Sequence, residues 1–544
     1  MAPHSPLFRW VAPVLPTRHW RRFCVLAAVL FAVRGLVVLC VLAPDEGWDE
    51  YQHVGYVVFM HEQQRPPRIG QDVVPRSLLA RQVDYPHPDY AIEQIGRTGA
   101  RDYKAFFAAT QPARFDPAAG DIPLYQAQHP PLYYRVVGPL FRAAGGLEAL
   151  PRAITTLRAA NLLIATIGVW LAMVSLGECV RDRRTAALLA LLVALQPVIM
   201  MNSVRISSDA LAFTLAVAAI RLCLRGRVDR PMHWAAAGGL IGVAILTKTV
   251  HLSLLPFAGA VIGVEWLRGR ARLRQAAVAL AALLVPAAAL VGPSLAENLR
   301  QFGSLTLMQE AIANRAAGRT TADILGGASH VRWGRVVRHL WIRDPVWAGG
   351  WSFAPISDWA WRGYQFLTVA GLAGWLWRLR PGRSRGAPRI DGAAAFRALL
   401  LVAAYTASLC YYVLHAWANW GGRLANTWYV AAVLPSFLLL VVGGMSCWRG
   451  RHVAGGLLVS MVATYALVPL LGVRRLIAIE GATASLTTAL ARLATLHPAG
   501  LGATTVWAGL VAMAVVLVAA LAAVAVAGAG DSAPGERQLA DISR

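Results

Sequence analysis

The sequence predicts an all-α integral membrane protein: about twelve transmembrane helices, with two large extracytoplasmic loops bearing interfacial helices. Three observations lead there. Of 544 residues, 57% are hydrophobic, against roughly 45–50% in soluble domains. Apolar runs of about 18 residues or more recur along the whole chain, each long enough to cross a bilayer. The net charge of +24 comes largely from arginines in short connections between those runs. That is the positive-inside pattern of a membrane protein, not the basic face of a nucleic-acid binder. Alternating ten-residue strands of an outer-membrane barrel are absent from the pattern.

Residues 1–22 read as a basic cytoplasmic tail, whose Arg18 to Arg22 lead into a first span at 23–43 without a cleavable signal. Arg34 lies near the middle of that span, where it must face protein or water. The N-terminal membrane module runs over 23–294, and its first outer loop, 44–152, is the largest polar excursion. Within the loop, Trp48 to Glu62 reads as a helix whose Trp48, Tyr51, Tyr56 and Phe59 suit the interface. The stretch from Arg65 to Gly120 reads as irregular. Pro130 and Pro131 suit the first turn of a second interfacial helix.

Further spans are expected at 153–178, 185–204, 207–224, 233–249, 250–267 and 276–294. A second outer loop follows over 295–364, with six tryptophans suited to an interfacial belt. The C-terminal membrane helices occupy 365–528, with spans at 365–379, 394–416, 426–447, 453–473 and 503–528, before a cytoplasmic tail at 529–544. The arginine clusters at 181–184, 221–230, 268–274, 378–389 and 449–451 fall on the side of the N-terminus. That side is the cytoplasm, so both long loops face outward. The six cysteines lie in or beside apolar runs, which argues against a disulfide framework or a thiolate-bound metal.

The outer side collects the polar residues able to carry chemistry. Asp45, Glu46, Asp49 and Glu50 place four carboxylates within six residues just past the first span. If the following segment is helical from Trp48, Asp49 and His53 share a face. His129, Tyr133 and Tyr134 belong to the same loop. Arg205 and Asp209 mark the next outer turn, Lys248 ends the fifth span, and Arg343 and Arg423 lie further on. Cations on the outer side run against the charge rule, and a lipid-linked phosphate would explain them, arginine as a fork and lysine as a point charge.

In order and sidedness these motifs resemble the GT-C superfamily of membrane glycosyltransferases that use polyprenyl-phosphate-linked sugars, such as the protein O-mannosyltransferases and the lipid A aminoarabinose transferases. They are closer still to a poorly characterised bacterial branch. The likeness rests on Asp49-Glu50-x-x-His53, Pro130 to Tyr134, Ser208 to Leu211, Leu246 to Lys248 and Gly422-Arg423-Leu424, the last lacking the usual aromatic residue after the arginine. The resemblance implies a sugar moved from a polyprenyl-phosphate donor to a glycan, lipid or protein acceptor outside a bacterial inner membrane, both termini being cytoplasmic. Asp49 would be the base, and Glu50 would assist it or share a divalent cation with it. Substrate contacts would fall to His53, His129, Tyr133, Tyr134, Arg205, Asp209, Lys248, Arg343 and Arg423. A single displacement would invert the sugar bond, since no second nucleophilic carboxylate is evident. Two other classes stay open: a transporter or lipid-linked-sugar flippase, and a non-catalytic subunit of an envelope glycan assembly.

Overall fold

The computed structural model describes residues 18–44, 47–81, 121–346, 358–378, 390–421, 426–448, 451–480, 485–498 and 500–530. Among these the chain is helical throughout, with only two isolated β-bridges, Val73 with Pro123 and Val180 with Ile390. In chain order the N-terminal part comprises α1 (Arg18–Val41), α2 (Glu50–Gln63), α3 (Arg76–Arg81), α4 (Leu132–Ala143), α5 (Leu150–Gly177), α6 (Arg183–Leu195), α7 (Pro197–Val204), α8 (Asp209–Arg225), α9 (Pro231–Thr247), α10 (Leu254–Leu267) and α11 (Leu273–Phe302). Three short helices follow, α12 (Gln309–Ala316), α13 (Thr321–Gly326) and α14 (Trp333–Arg338). Then come α15 (Asp358–Arg378), α16 (Gly392–Trp420), α17 (Leu434–Met445), α18 (Arg451–Glu480), α19 (Leu486–Leu496) and α20 (Ala503–Gly530).

Every predicted span overlaps a helix or a bent pair of helices, although the one expected at 426–447 is α-helical only over Leu434–Met445. Among the described residues seven helices are long and apolar enough to cross a membrane unaided, and the bent pair α6–α7 makes an eighth when counted as one span. The remaining predicted spans are shorter or more charged: α9 has 17 residues and α17 has 12. Between their polar ends α11 and α20 expose large apolar side chains, among them Val278, Val285, Val515 and Val518. Only lipid solvates such a surface well. Elsewhere the helices cover each other, α1 against α5 and α20, α8 against α5 and α9, and α9 against α11. Where α15 crosses α17 the backbones nearly touch. A Cβ on Gly374 would lie 1.9 Å from the Gly444 carbonyl, so only glycine fits there.

The α6–α7 bend of 43° has a local cause. Pro197 has no N–H to give, and the Gln196 side chain takes the Val198 amide at 2.7 Å. The Ala194 carbonyl thereby loses its helical partner. Arg34, 3% exposed, donates to that carbonyl at 2.5 Å. This charge inside the first span is therefore used by the break in a neighbouring helix.

The first outer loop folds as its own small core. Tyr51, Val54, Tyr56, Val57, Leu78, Leu124, Tyr133, Tyr134 and Phe141 are all buried together. The expectation that Tyr51, Tyr56 and Phe59 sit at the lipid interface is corrected: they are at most 7% exposed. α4 keeps an exposed apolar edge at Val136 and Leu140, as an interfacial helix would. Of the stretch read as irregular, residues 65–81 carry a tight Arg65–Asp72 pair at 2.8 Å and then α3. Residues 82–120, with Asp45 and Glu46, lie outside the described residues.

α11 continues eight residues beyond its predicted end, until Gly303 closes it in the left-handed conformation at φ 63°. In the second outer loop Trp341 is buried, its indole donating to Thr406 at 3.1 Å, whereas Trp359 remains exposed. Trp347 and Trp351 lie outside the described residues. The loop's tryptophans therefore split between core and surface. Within the arginine-rich turn read as inner at 221–230, Arg221 and Arg225 converge on Glu178, and Arg397 pairs with Glu265 at 3.2 Å.

Candidate active site

Asp49 stands at the start of α2 with φ 61° and ψ 9°, a left-handed conformation that few residues other than glycine, asparagine and aspartate accept readily. The turn aims Asp49 and Glu50 in opposite directions. Asp49 accepts hydrogen bonds from the Tyr125 hydroxyl at 2.5 Å and the Gln126 amide at 3.1 Å. It lines a cavity of about 860 Å³. Glu50 is fully buried behind it.

Glu50 is the centre of the support. Its Oε1 accepts from Arg158 Nε at 2.8 Å and from the Ile206 amide at 2.8 Å, and its Oε2 takes Arg158 Nη2 and, at 3.4 Å, the Gly47 amide. Arg158 also donates to the Leu42 and Ala43 carbonyls at 2.5 and 2.7 Å, which α1 leaves open as it ends. One ion pair thus fastens the end of α1, the Asp49 turn, α5 and the approach to α8. Gly47 has no room for a side chain, since a Cβ would lie 2.8 Å from Arg205 Cβ.

The expected role of Glu50 as a second acid at the reacting centre, or as a cation ligand with Asp49, is corrected. Its oxygens already hold a guanidinium and backbone amides, and it is absent from the cavity wall. Asp49 and Glu50 cannot pinch one ion while facing apart. Among the described residues no group of three or more histidine, cysteine, aspartate or glutamate side chains is arranged to hold a metal.

Arg205 and Asp209 also stand behind the wall. Arg205 donates to the Trp48 carbonyl at 2.6 Å and to Asp209 at 2.7 Å, and Asp209 pairs in turn with Lys248. The expectation that Arg205 and Asp209 touch substrate is corrected to a supporting role. Lys248 follows the last turn of α9 and reaches the cavity, its ammonium 5.5 Å from the centre of the Tyr429 ring. Among the described residues no other lysine or arginine lines this cavity.

His53 is likewise internal. Its Nδ1 meets the Tyr134 hydroxyl at 2.8 Å, and Tyr134 stacks on Tyr56 at 3.6 Å. The Tyr133 hydroxyl donates to Asn161 at 3.1 Å, and Asn161 holds the Arg205 carbonyl at 2.8 Å. His53, Tyr133 and Tyr134 therefore brace the site without lining it, which corrects their assignment to substrate contact. His129 does line the cavity, together with an adjoining one of about 300 Å³, and its ring stacks parallel to His53 at 5.9 Å. Burial lowers the His129 imidazole to about 3, with Lys248 adding to the shift. Burial likewise holds His53 well below its usual range, with His129 next in effect.

Arg343 is not at this site. Its guanidinium lies 4.4 Å from the Trp361 ring centre and donates to His339 at 2.9 Å, within the second loop. Arg423 lies outside the described residues, although its neighbours Trp420 and Asn426 line the cavity.

The wall contains residues the sequence reading passed over: Tyr125 beside Asp49, an aromatic group of Tyr411, Tyr412, Trp428 and Tyr429, and Glu310 of α12. Tyr125 lies four residues before His129, which the sequence reading had already singled out. Glu310 stands alone in a loop with no motif around it. Chemically, the cavity offers two carboxylates, Asp49 held by two donors and Glu310, with one ammonium, an uncharged imidazole and broad aromatic faces.

No family model matches the chain, and no curated protein matches it. Among solved structures it is similar to ArnT from Cupriavidus metallidurans bound to undecaprenyl phosphate, at 15% identity and a TM-score of 0.42, over 94% of this chain and 74% of that one. It is also similar to the oligosaccharyltransferase of Archaeoglobus fulgidus in the apo form, at 14% identity and a TM-score of 0.38, over 85% of this chain and 56% of that one. Both are GT-C glycosyltransferases of multi-pass helical build.

Proposed function

We propose that this chain is a membrane glycosyltransferase that moves a sugar from a polyprenyl-phosphate donor to an acceptor hydroxyl on the extracytoplasmic face. The observation that carries the reading is the pairing of Asp49 and Lys248 on the wall of one cavity. A transfer from a lipid phosphate needs two things: a base for the incoming hydroxyl and positive charge at the departing phosphate. The wall offers both, Asp49 for the first and Lys248 for the second.

In this reading the donor's phosphate rests against Lys248, which Asp209 and Arg205 hold from behind. The acceptor oxygen attacks the anomeric carbon as Asp49 takes its proton. The bond from that carbon to the phosphate oxygen breaks, and the phosphate leaves with its electron pair beside the ammonium. One displacement inverts the anomeric centre. Tyr125 and Gln126 orient Asp49, and neutral His129 can donate to or accept from the sugar. The cavity side is extracytoplasmic, the arginine-rich end and both termini are cytoplasmic, and the membrane is a bacterial inner membrane. The acceptor is a glycan, a lipid or a protein.

The test is transfer by the full-length protein in membranes, supplied with polyprenyl-phosphate sugars, against Asp49→Asn. Asparagine keeps the left-handed turn and a partner for Tyr125 but cannot take a proton. A loss of roughly 10²–10⁴-fold is expected. Transfer at the wild-type rate would overturn Asp49 as the base.

A further inference from the structure

Glu310 faces the same cavity from the second outer loop. Among the described residues, Asp49 and Glu310 are the carboxylates on the cavity wall. Glu310 is 5% exposed, and a carboxylate is rarely buried to that degree without a binding or structural use. It accepts from the Tyr412 hydroxyl at 3.3 Å. One turn further along α12, the fully buried Asn314 donates to the His415 carbonyl at 2.9 Å and receives Arg319 at 2.6 Å. α12 is thereby pinned to α16, and Glu310, four residues earlier on the same buried face, is held towards the cavity.

The surroundings are specific in kind. Tyr412 and Tyr429 lie 5.5 Å apart in a tilted pair, and Trp428 stands 5.9 Å from Tyr429. Tyr429 lies beneath the Lys248 ammonium and shares the cavity wall with both Glu310 and Asp49. An aromatic face packs the C–H side of a pyranose, and an ionised carboxylate accepts hydrogen bonds from its hydroxyls.

We propose that Glu310 is a sugar-binding residue, accepting hydroxyl hydrogen bonds from the transferred hexose while that ring lies against Tyr412 and Tyr429, and that it decides which sugar the cavity holds. The proposal rests on the glycosyl-transfer reading and adds a second loop to the site. Lys248 takes the phosphate and Glu310 takes the sugar.

The experiment measures binding of two probes to the purified full-length protein: bare polyprenyl phosphate, and polyprenyl phosphate carrying glucose, galactose or mannose. The wild type is expected to hold at least one hexosylated lipid more tightly than the bare lipid. Glu310→Gln should reduce that preference roughly ten- to a hundredfold and leave affinity for the bare lipid unchanged. Tyr412→Phe should reduce it by less, and it serves as the second variant if Glu310→Gln does not fold. A preference unchanged in Glu310→Gln, or in Tyr412→Phe where that variant stands in, overturns the assignment. So does a wild type that binds none of the three better than the bare lipid. The reading beneath it fails separately, if neither the bare nor the hexosylated lipid binds, or if Asp49→Asn transfers at the wild-type rate.

Discussion

Arg158 donates from Nε to Glu50 Oε1 at 2.8 Å, and neither side chain has any exposure to solvent. Two carbonyls at the end of α1 and the amide of Ile206 complete the arrangement, so the charges are paired and hydrogen-bonded on all sides. Removing one partner of a buried pair leaves the other charge uncompensated, which typically costs about 3–5 kcal/mol.

Glu50→Gln is therefore expected to lower the melting temperature and the yield of folded protein sharply. A double variant, Glu50→Gln with Arg158→Met, should recover part of that loss, because no buried charge is then left alone. Thermal unfolding in detergent checks both. A Glu50→Gln protein that melts like the wild type yet transfers no sugar would return Glu50 to the reacting centre.

Lys248 and Arg343 make opposing predictions. Lys248→Met removes the ammonium at the cavity wall while Arg205 keeps Asp209 paired. Affinity for bare polyprenyl phosphate should fall roughly tenfold or more, the scale of a lost charge-assisted hydrogen bond. Arg343→Met should leave that affinity unchanged, since Arg343 packs on Trp361 outside the cavity. Equal losses in both variants would count against the phosphate position.

Acid should unfold the first outer loop through its two stacked histidines. Burial first, and neighbouring charge second, lowers His129 from 6.5 to about 3 and holds His53 well below 6.5. Between those values the unfolded chain binds protons that the folded chain refuses. The stability from these groups is therefore complete above about pH 6.5 and declines as the pH falls towards about 3. The melting temperature should drop from about pH 7.5 to about pH 5, and His129→Gln should flatten the drop. A wild-type melting temperature that does not change across this range would contradict the buried neutral pair.

Gly444→Val tests the crossing of α15 and α17. A Cβ at that position would lie 1.8 Å from the Gly371 carbonyl, which is backbone and cannot swing aside. Loss of folded protein is expected, whereas Gly455→Ala, where nothing lies within 4 Å, should be tolerated. Size-exclusion profiles of the two variants provide the comparison.

Hydropathy and charge are read residue by residue along the chain, and the bilayer imposes one length on every crossing. The sequence therefore marked the membrane spans and the polar excursions, and its motifs singled out Asp49, His129 and Lys248 among other outer-side residues. It could not tell Asp49 from Glu50, because adjacent residues in a turn point apart only once the backbone is placed. A φ of 61° at residue 49 and the start of a helix at residue 50 send one carboxylate into the cavity and the other into a clasp with Arg158, 108 residues away.

The same limit hid Glu310. Its neighbours in the chain announce nothing, and its position depends on Asn314 locking α12 against α16. Nor could the sequence separate Lys248, which meets the cavity, from Arg205 and Asp209, which stand behind it. A cation's use depends on which partner lies opposite, and that is settled only when distant helices pack. The chain by itself determined that this is a membrane protein with polar chemistry outside its first span. The tertiary structure decided which of those polar groups remain open to a substrate and which are consumed in holding the site together.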